Sequence, residues 1–231
     1  MRYTVDEKVF DLNPEIKFGI IIGTGLTNSA TTEDDERRLR QSEAHMREMY
    51  GSDDVRSLPN VALYREMMSK AGINPNKFQV SVEAMYKRIL KGGSLPTINA
   101  LVDLCNAVSI EEIISLGGHD LADIHENLEV RFSVDGDRFL PFGEMEYEPV
   151  EPGELVFTSG NVVQTRKWVW RQSELGKVTP DSSDIIFQLV GFGDDPSFIN
   201  AMNAIEELAR HRFGGTTQHF VVDRDHRSIA F

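Results

Sequence analysis

GGSLPTINALVDLCNAV, residues 92–108, is the stretch on which the reading of the whole chain turns. Two glycines, a serine and a proline break the chain, and a short helix over residues 98–109 follows. At 3.6 residues per turn, Asn99, Asp103 and Asn106 fall within roughly 60° of one another. Leu101, Leu104, Cys105 and Val108 collect on the opposite side and face a core, with Ala100 and Ala107 between the two faces. A solvated face is normally filled with Lys, Glu, Arg or Gln, whereas Asn and Asp cost up to about 0.7 kcal/mol each relative to Ala. Two amides and a carboxylate, with no long charged side chain, suit a pocket wall or a buried hydrogen-bond network. Plain surface is the bland alternative.

The 231 residues are enough for one large domain or two small ones, each with a substantial core. Apolar content of 40% and charged content of 26% are ordinary for a soluble globular protein. No apolar run approaches the ~20 residues of a membrane span, and the N-terminal MRYTVDEKVF carries acids where a secretory signal needs an apolar stretch. The expected compartment is the cytoplasm, with no membrane contact. The single cysteine, Cys105, excludes an internal disulfide and a zinc cluster, and its place on the apolar helix face predicts a core thiol. No metal or cofactor is expected. A net charge of −13 argues against extensive phosphate-backbone contacts, DNA included. Within residues 161–180, however, Arg166, Lys167, Arg171 and Lys177 face only Glu174, a local balance of +3. Nucleic-acid contact is therefore expected only at a small patch.

No internal repeat or low-complexity tract is visible, which predicts one domain over residues 1–231. Residues 9–22 read as one or two strands interrupted at Asn13-Pro14, and Gly23-Thr24-Gly25 as a strand-ending turn rather than a phosphate cradle. Helices are expected over 32–50 (charged, on the surface), 59–71 and 80–90, and Gly117-Gly118 as a turn after 110–116. From residue 128 the pattern changes to period two, predicting strands over 128–132, 154–158, 162–170 and 184–190. A helix over 198–212, with Ile199 inward, and a strand over 218–222 close the chain. Helices early and strands late fit an α+β fold, with N-terminal helices packed on a mainly antiparallel sheet.

Two further constellations stand out. Gly117 to His125 holds two histidines and two aspartates; the spacing matches no established metal motif, and Asp120 is an obvious N-cap. RKWVWRQ, residues 166–172, alternates Arg166, Trp168, Trp170 and Gln172 on one strand face with Lys167, Val169 and Arg171 on the other. Such a strand either stacks bases beside arginines or buries its tryptophans beneath a basic rim. Glu154 is a lone carboxylate at a strand start.

SLPTINALVDLCNAVS, GGHDLADI, PGELVF, RKWVWRQ and KVTPDSSDIIFQLVG, in that order, resemble the B3/B4 domain, the tRNA-binding and editing module of the phenylalanyl-tRNA synthetase β-chain. The likeness to its free-standing type is greater. It is strongest over residues 85–191, with a helical part at 30–92 and a helix and strand at 196–223. In the synthetase this compact α+β unit hydrolyses tyrosine wrongly attached to the phenylalanine tRNA. The resemblance implies a trans-acting hydrolase that deacylates mischarged aminoacyl-tRNA, its partner the acceptor end of that RNA. The alternative is a non-catalytic module that binds tRNA, an amino acid or a protein. It further implies that Asn99, Asp103 and Asn106 belong to the pocket-forming helix and that Asp120 matches the family's following aspartate, with His119 and Glu154 as further catalytic candidates. Arg166, Trp168, Trp170, Arg171 and Gln172 are the implied tRNA contacts. Two departures accompany the likeness. Gly117 stands where the synthetase has a histidine, and the Trp-Val-Trp-Arg-Gln segment replaces a glycine-rich strand-turn.

Overall fold

The computed structural model describes residues 1–51 and 54–231. In chain order, β1 (Arg2–Val5), α1 (Glu7–Leu12) and β2 (Ile16–Thr24) lead into four helices, α2 (Glu33–Tyr50), α3 (Pro59–Lys70), α4 (Ser81–Leu90) and α5 (Ala100–Glu112). Then come β3 (Ser115–Asp120), β4 (Leu128–Phe132), β5 (Arg138–Phe139), β6 (Glu148–Pro149), β7 (Leu155–Ser159), β8 (Val162–Arg166), β9 (Arg171–Gln172) and β10 (Ile185–Phe192). The helix α6 (Pro196–Glu207), a π-helical turn (Leu208–Arg212), β11 (Thr216–Val222) and β12 (Ser228–Ala230) finish the chain. This is the expected α+β fold, but the strands form two sheets. One has four antiparallel strands in the order β11-β2-β10-β3. The other follows β12-β1-β4-β7-β8-β5-β6, with β9 on β8 and parallel pairing only at β1–β4 and β5–β8.

The near-continuous apolar runs of β2 and β10 explain the layering, because a strand buried on both faces needs no polar alternation. Phe18, Ile20, Ile22, Ile186 and Val190 enter the larger core, with Tyr3, Val130 and Phe157 of the other sheet and residues of α2, α3 and α4. Ile21, Ile185, Phe187 and Leu189 point the other way, onto Leu101, Leu104 and Val108 of α5 and Phe198, Met202 and Ile205 of α6. The small sheet is thus the middle layer. α6 closes on it through glycines: a Cβ at Gly191 would lie 2.5 Å from the Phe198 ring.

Four local expectations are corrected. Residues 7–12 are helical, not extended, because Asp6 caps the Lys8 N–H and Val9 and Phe10 bury side by side. α2 is half-buried rather than superficial. Its inner face carries polar groups satisfied in pairs, such as Glu43, which accepts from Arg40 at 2.6 Å and from the Leu95 N–H at 2.7 Å. Gly117 and Gly118 sit inside β3; the helix before them stops at Ile113, which takes the left-handed conformation (φ 53°) usual for glycine. Ile199 is exposed, and Phe198, Ala201, Met202 and Ile205 carry the inward face of α6.

β3 joins β10 through a side chain as well as through the ladder. Tyr64 of α3 accepts from the Ser115 N–H (2.9 Å) and donates to the Val190 carbonyl (2.5 Å), two residues paired in register. Tyr64→Phe leaves both buried backbone groups unpaired and is expected to lower the unfolding free energy by about 2 kcal/mol or more. Urea denaturation measures this, and an unchanged midpoint would mean that the bridge carries no stability.

Candidate functional site

A cavity of about 560 Å³ lies between α5, β3 and the loop before β10. Leu101, Val102, Cys105 and Asn106 of α5 form one wall. Residues 116–118 of β3 with Gln172 form the second, and Lys177, Val178, Thr179 and Pro180 the third. Ile98 and Phe142, 57% and 48% exposed, stand at its mouth as apolar side chains that a ligand would cover. The lining is mainly apolar with a few polar groups, the usual make-up of a small-molecule site.

Two amides hold α5 at this distance. Asn99 is the N-cap: its Oδ1 accepts from the Val102 N–H (3.1 Å) and its Nδ2 donates to the Val178 carbonyl (3.0 Å). Asn28 Nδ2 donates to Asn99 Oδ1 (3.1 Å) and the Thr179 carbonyl (2.7 Å), and its Oδ1 accepts from the Leu101 N–H (3.1 Å). With the Ala100 N–H on the Ser29 carbonyl, the first helical N–H groups are occupied, so this helix end is no anion site.

β3 is an edge strand, and its free side faces the cavity. In an antiparallel pair alternate residues turn both N–H and C=O away from the partner. The Gly118 carbonyl accepts from Gln172 Nε2 (3.0 Å) and the Asp120 N–H donates to the Gly176 carbonyl (2.9 Å), so the even-numbered residues face outward. The outward N–H of Gly118 therefore lines the cavity, with no protein acceptor among the described residues. Among the described residues, Asn106 also lines it without a side-chain hydrogen bond, and Gln172 Oε1 has no donor.

Of the residues expected at the cleft, Asn99, Asn106 and Gln172 line this cavity. Asp103 does not. It is fully buried on the α2 side, accepting from Thr31 (2.5 Å) and the Ile98 N–H (2.9 Å), and burial outweighs those bonds to push its carboxyl above the usual range. Asp120 caps the turn at Leu121–Asp123 and accepts from Ser182. Glu154 accepts from Arg166 (2.8 Å), Lys167 Nζ (2.6 Å) and the Lys167 N–H (3.0 Å); despite its burial, those donors hold it below the ordinary carboxylate range. His119 lies on the other face of β3, 2% exposed and edge-on to Phe157, and burial lowers it from 6.5 to about 4. Its Nδ1, 3.3 Å from the amide nitrogen of Gln172, is then the acceptor and Nε2 carries the proton. Cys105, expected in the core, stands partly exposed on the cavity wall, its thiol pushed up by burial to about 12. No cluster of three or more His, Cys, Asp or Glu suited to a metal occurs among the described residues.

The 162–170 strand is also corrected: β8 ends at Arg166, and Lys167 and Trp168 turn left-handed (φ 49° and 68°). That turn buries Trp168 completely against Tyr64 and leaves Trp170 half-exposed, edge-on to Phe78 with ring centres 4.8 Å apart. The ammonium groups of Lys167 and Lys77 lie 4.6 and 5.1 Å from the Phe78 ring centre. Arg166 is spent on Glu154, while Arg171 is exposed with no acidic partner among the described residues. Sequence reasoning missed Phe78, Phe142 and Asn28, which join the site only through the tertiary fold.

The sequence pattern described as B3/4 domain matches residues 63–214. In structure the chain is similar to an N-terminal fragment of the phenylalanyl-tRNA synthetase β-subunit from Pyrococcus horikoshii, at 13% identity and a TM-score of 0.47 over 93% of this chain. It spans about half (49%) of that fragment's length. No curated protein gives a match.

The neutral, buried His119 makes stability pH-dependent. Between its folded value of about 4 and the ordinary 6.5 the unfolded chain binds a proton that the folded chain does not. The contribution is complete above 6.5 and lost as pH falls towards 4, the loss reaching about 2 kcal/mol at pH 5. Urea midpoints at pH 7 and 5 are expected to differ by less in His119→Asn than in the parent; an equal difference would place that titration elsewhere.

Proposed function

Because the chain belongs to the B3/4 domain family, we propose that the cavity takes the aminoacyl end of a tRNA and that the protein is a trans-acting hydrolase of mischarged aminoacyl-tRNA. The observation that carries this reading is a mainly apolar cavity set against the open part of the β3 edge, where the Gly118 N–H has no acceptor among the described residues. An ester carbonyl laid against that edge accepts from Gly118. Negative charge grows on the same oxygen as water adds, and one such donor is commonly worth about 10²–10³ in kcat. Asn106 and Gln172 Oε1 orient the water. The bond from the acyl carbon to the ribose oxygen breaks, the water proton passes to that oxygen, and the free amino acid leaves. No lining residue is an obvious base, so the neighbouring ribose hydroxyl carries the proton.

Among the described residues the lining contains no carboxylate, and its cation, Lys177, pairs with Glu174 at the rim. The acyl side chain is therefore uncharged, since burying an unpaired charge costs several kcal/mol. The same lack of a free carboxylate or imidazole favours the second reading, a non-catalytic module that holds a tRNA end, an amino acid or a protein.

Deacylation of a panel of correctly and incorrectly charged tRNAs separates the two. The hydrolase reading expects acceleration of at least one mischarged member. It expects a loss of about tenfold or more in Asn106→Ala and full activity in Cys105→Ser. The enhancement over spontaneous hydrolysis should stay level from about pH 5.5 to 8.5, because His119 at about 4 and Cys105 at about 12 titrate outside that range. If no member is accelerated, or if Asn106→Ala and Gln172→Ala remain fully active, the binding module is the better account.

A further inference from the structure

The small sheet has a second edge. β11, seven residues long, stands on the far side of β2 and β10 from β3. Odd-numbered residues of β3 bond to Ile186, Gln188 and Val190 of β10, so Ile185, Phe187 and Leu189 bond across to Gly23, Ile21 and Gly19 of β2. The even-numbered residues of β2 then face β11 and take Thr216, Gln218, Phe220 and Val222. Thr217, His219 and Val221 therefore turn their N–H and C=O groups outward, where these find no partner among the described residues. Exposed edges are usually blunted by charged residues, a proline or a bulge. TTQHFVV holds no Lys, Arg, Asp, Glu or Pro, and its register with β2 runs unbroken.

The two ends of this edge differ in charge. At the Thr217 end, half-exposed Arg210 donates through Nε to Thr217 Oγ1 (2.9 Å) and through Nη2 to Glu206 (2.9 Å). At the other end the exposed apolar side chains of Val221 and Ile199 line a concavity with Asp194, Asp195 and Asp223, where Lys17 pairs with Asp194. We infer that β11 is a self-association surface: a second copy of this chain pairs with it antiparallel about a two-fold axis at His219, joining the two small sheets into one. Only the outward residues can face their counterparts, so Thr217 meets Val221 of the second copy and His219 meets His219, each pair exchanging both hydrogen bonds. That register brings Arg210 of each copy to the acidic end of the other and covers the exposed Val221. A parallel copy would set like ends together. Each His219 ring keeps its own Glu206 at 3.1 Å, a carboxylate beside the like pair. Such a contact is isologous, uses up the edge and closes at two. β3 lies at the opposite edge of the sheet, so the larger cavity of each copy stays open.

Sedimentation velocity of the whole chain over a hundredfold range of concentration tests this, with the mass expected to rise from 26.1 kDa towards twice that value. Val221→Pro deletes an outward N–H and no bond to β2, a position where an edge strand tolerates proline. It removes a hydrogen bond from each copy and is expected to weaken dimerisation about tenfold or more. Arg210→Glu, on the surface, is expected to weaken it about fivefold. Circular dichroism of both variants should match the parent, since neither change reaches the core. The register is read by cross-linking: paired Cα atoms at position 219 would stand ~5.5 Å apart, within disulfide reach. His219→Cys is therefore expected to form a covalent dimer in oxidised glutathione faster than Gln218→Cys, whose side chain sits on the other face and out of register. A monomer at every concentration, growth beyond a dimer, an unchanged dissociation constant in both surface variants, or equal cross-linking at 218 and 219 overturns the inference.

Discussion

β3 has a hydrogen-bonded neighbour on one side only, and an edge strand leaves backbone donors and acceptors to be satisfied by something else. Here part of that edge is covered: Gln172 takes the Gly118 carbonyl and Gly176 takes the Asp120 N–H. The remainder opens onto the larger cavity. The layers behind it exist to hold this strand in place. β10 pairs with it, Tyr64 bridges its first residue, and the Asn28–Asn99 bracket fixes α5 across the gap. Glycine at 117 and 118 keeps side chains off the edge, so a ligand can approach the backbone itself.

The charges are arranged to the same end. A chain of net charge −13 spends most of its cations internally: Arg131 on Asp137, Arg212 on Asp35, Arg166 and Lys167 on Glu154. Glu154 is the pivot of the last group. Left-handed backbone at two consecutive non-glycine residues costs on the order of 1–3 kcal/mol each, and the carboxylate that accepts from both the Lys167 N–H and its ammonium offsets that cost. The turn so fixed sends Trp168 inward and Trp170 outward. What reads in the sequence as a basic patch of +3 is thus mainly structural pairing, with Arg171 alone left without an acidic partner among the described residues.

The fold was legible wherever a periodic pattern met a stop signal. The strands at 128–132 and 184–190, and helices α3, α4 and α5, stand within a few residues of where the pattern puts them. Legibility failed where polar contacts between distant segments decide the outcome. The stripe of Asn99, Asp103 and Asn106 is real as a helical face, but the cap geometry turns Asn99 onto Val178 and Thr31 draws Asp103 towards α2. The cavity face is instead the one through Leu101, Val102, Cys105 and Asn106. No wheel could choose between them, because the choice depends on Asn28 and on residues 177–180, far away in sequence. The left-handed turn at Lys167 was equally hidden, since nothing in an alternating strand pattern announces positive φ at a lysine and a tryptophan.

The central claim is that the β3 edge is where the acyl group sits. It is tested most directly by following backbone amide resonances while titrating adenosine whose 3′ oxygen is replaced by an amide-linked amino acid with an uncharged side chain, a ligand that cannot be hydrolysed. The account predicts the largest shifts at Gly117, Gly118 and Asn106, with the Gly118 N–H moving as it gains an acceptor. Saturable shifts confined to other surfaces, with these three amides unmoved, would contradict it.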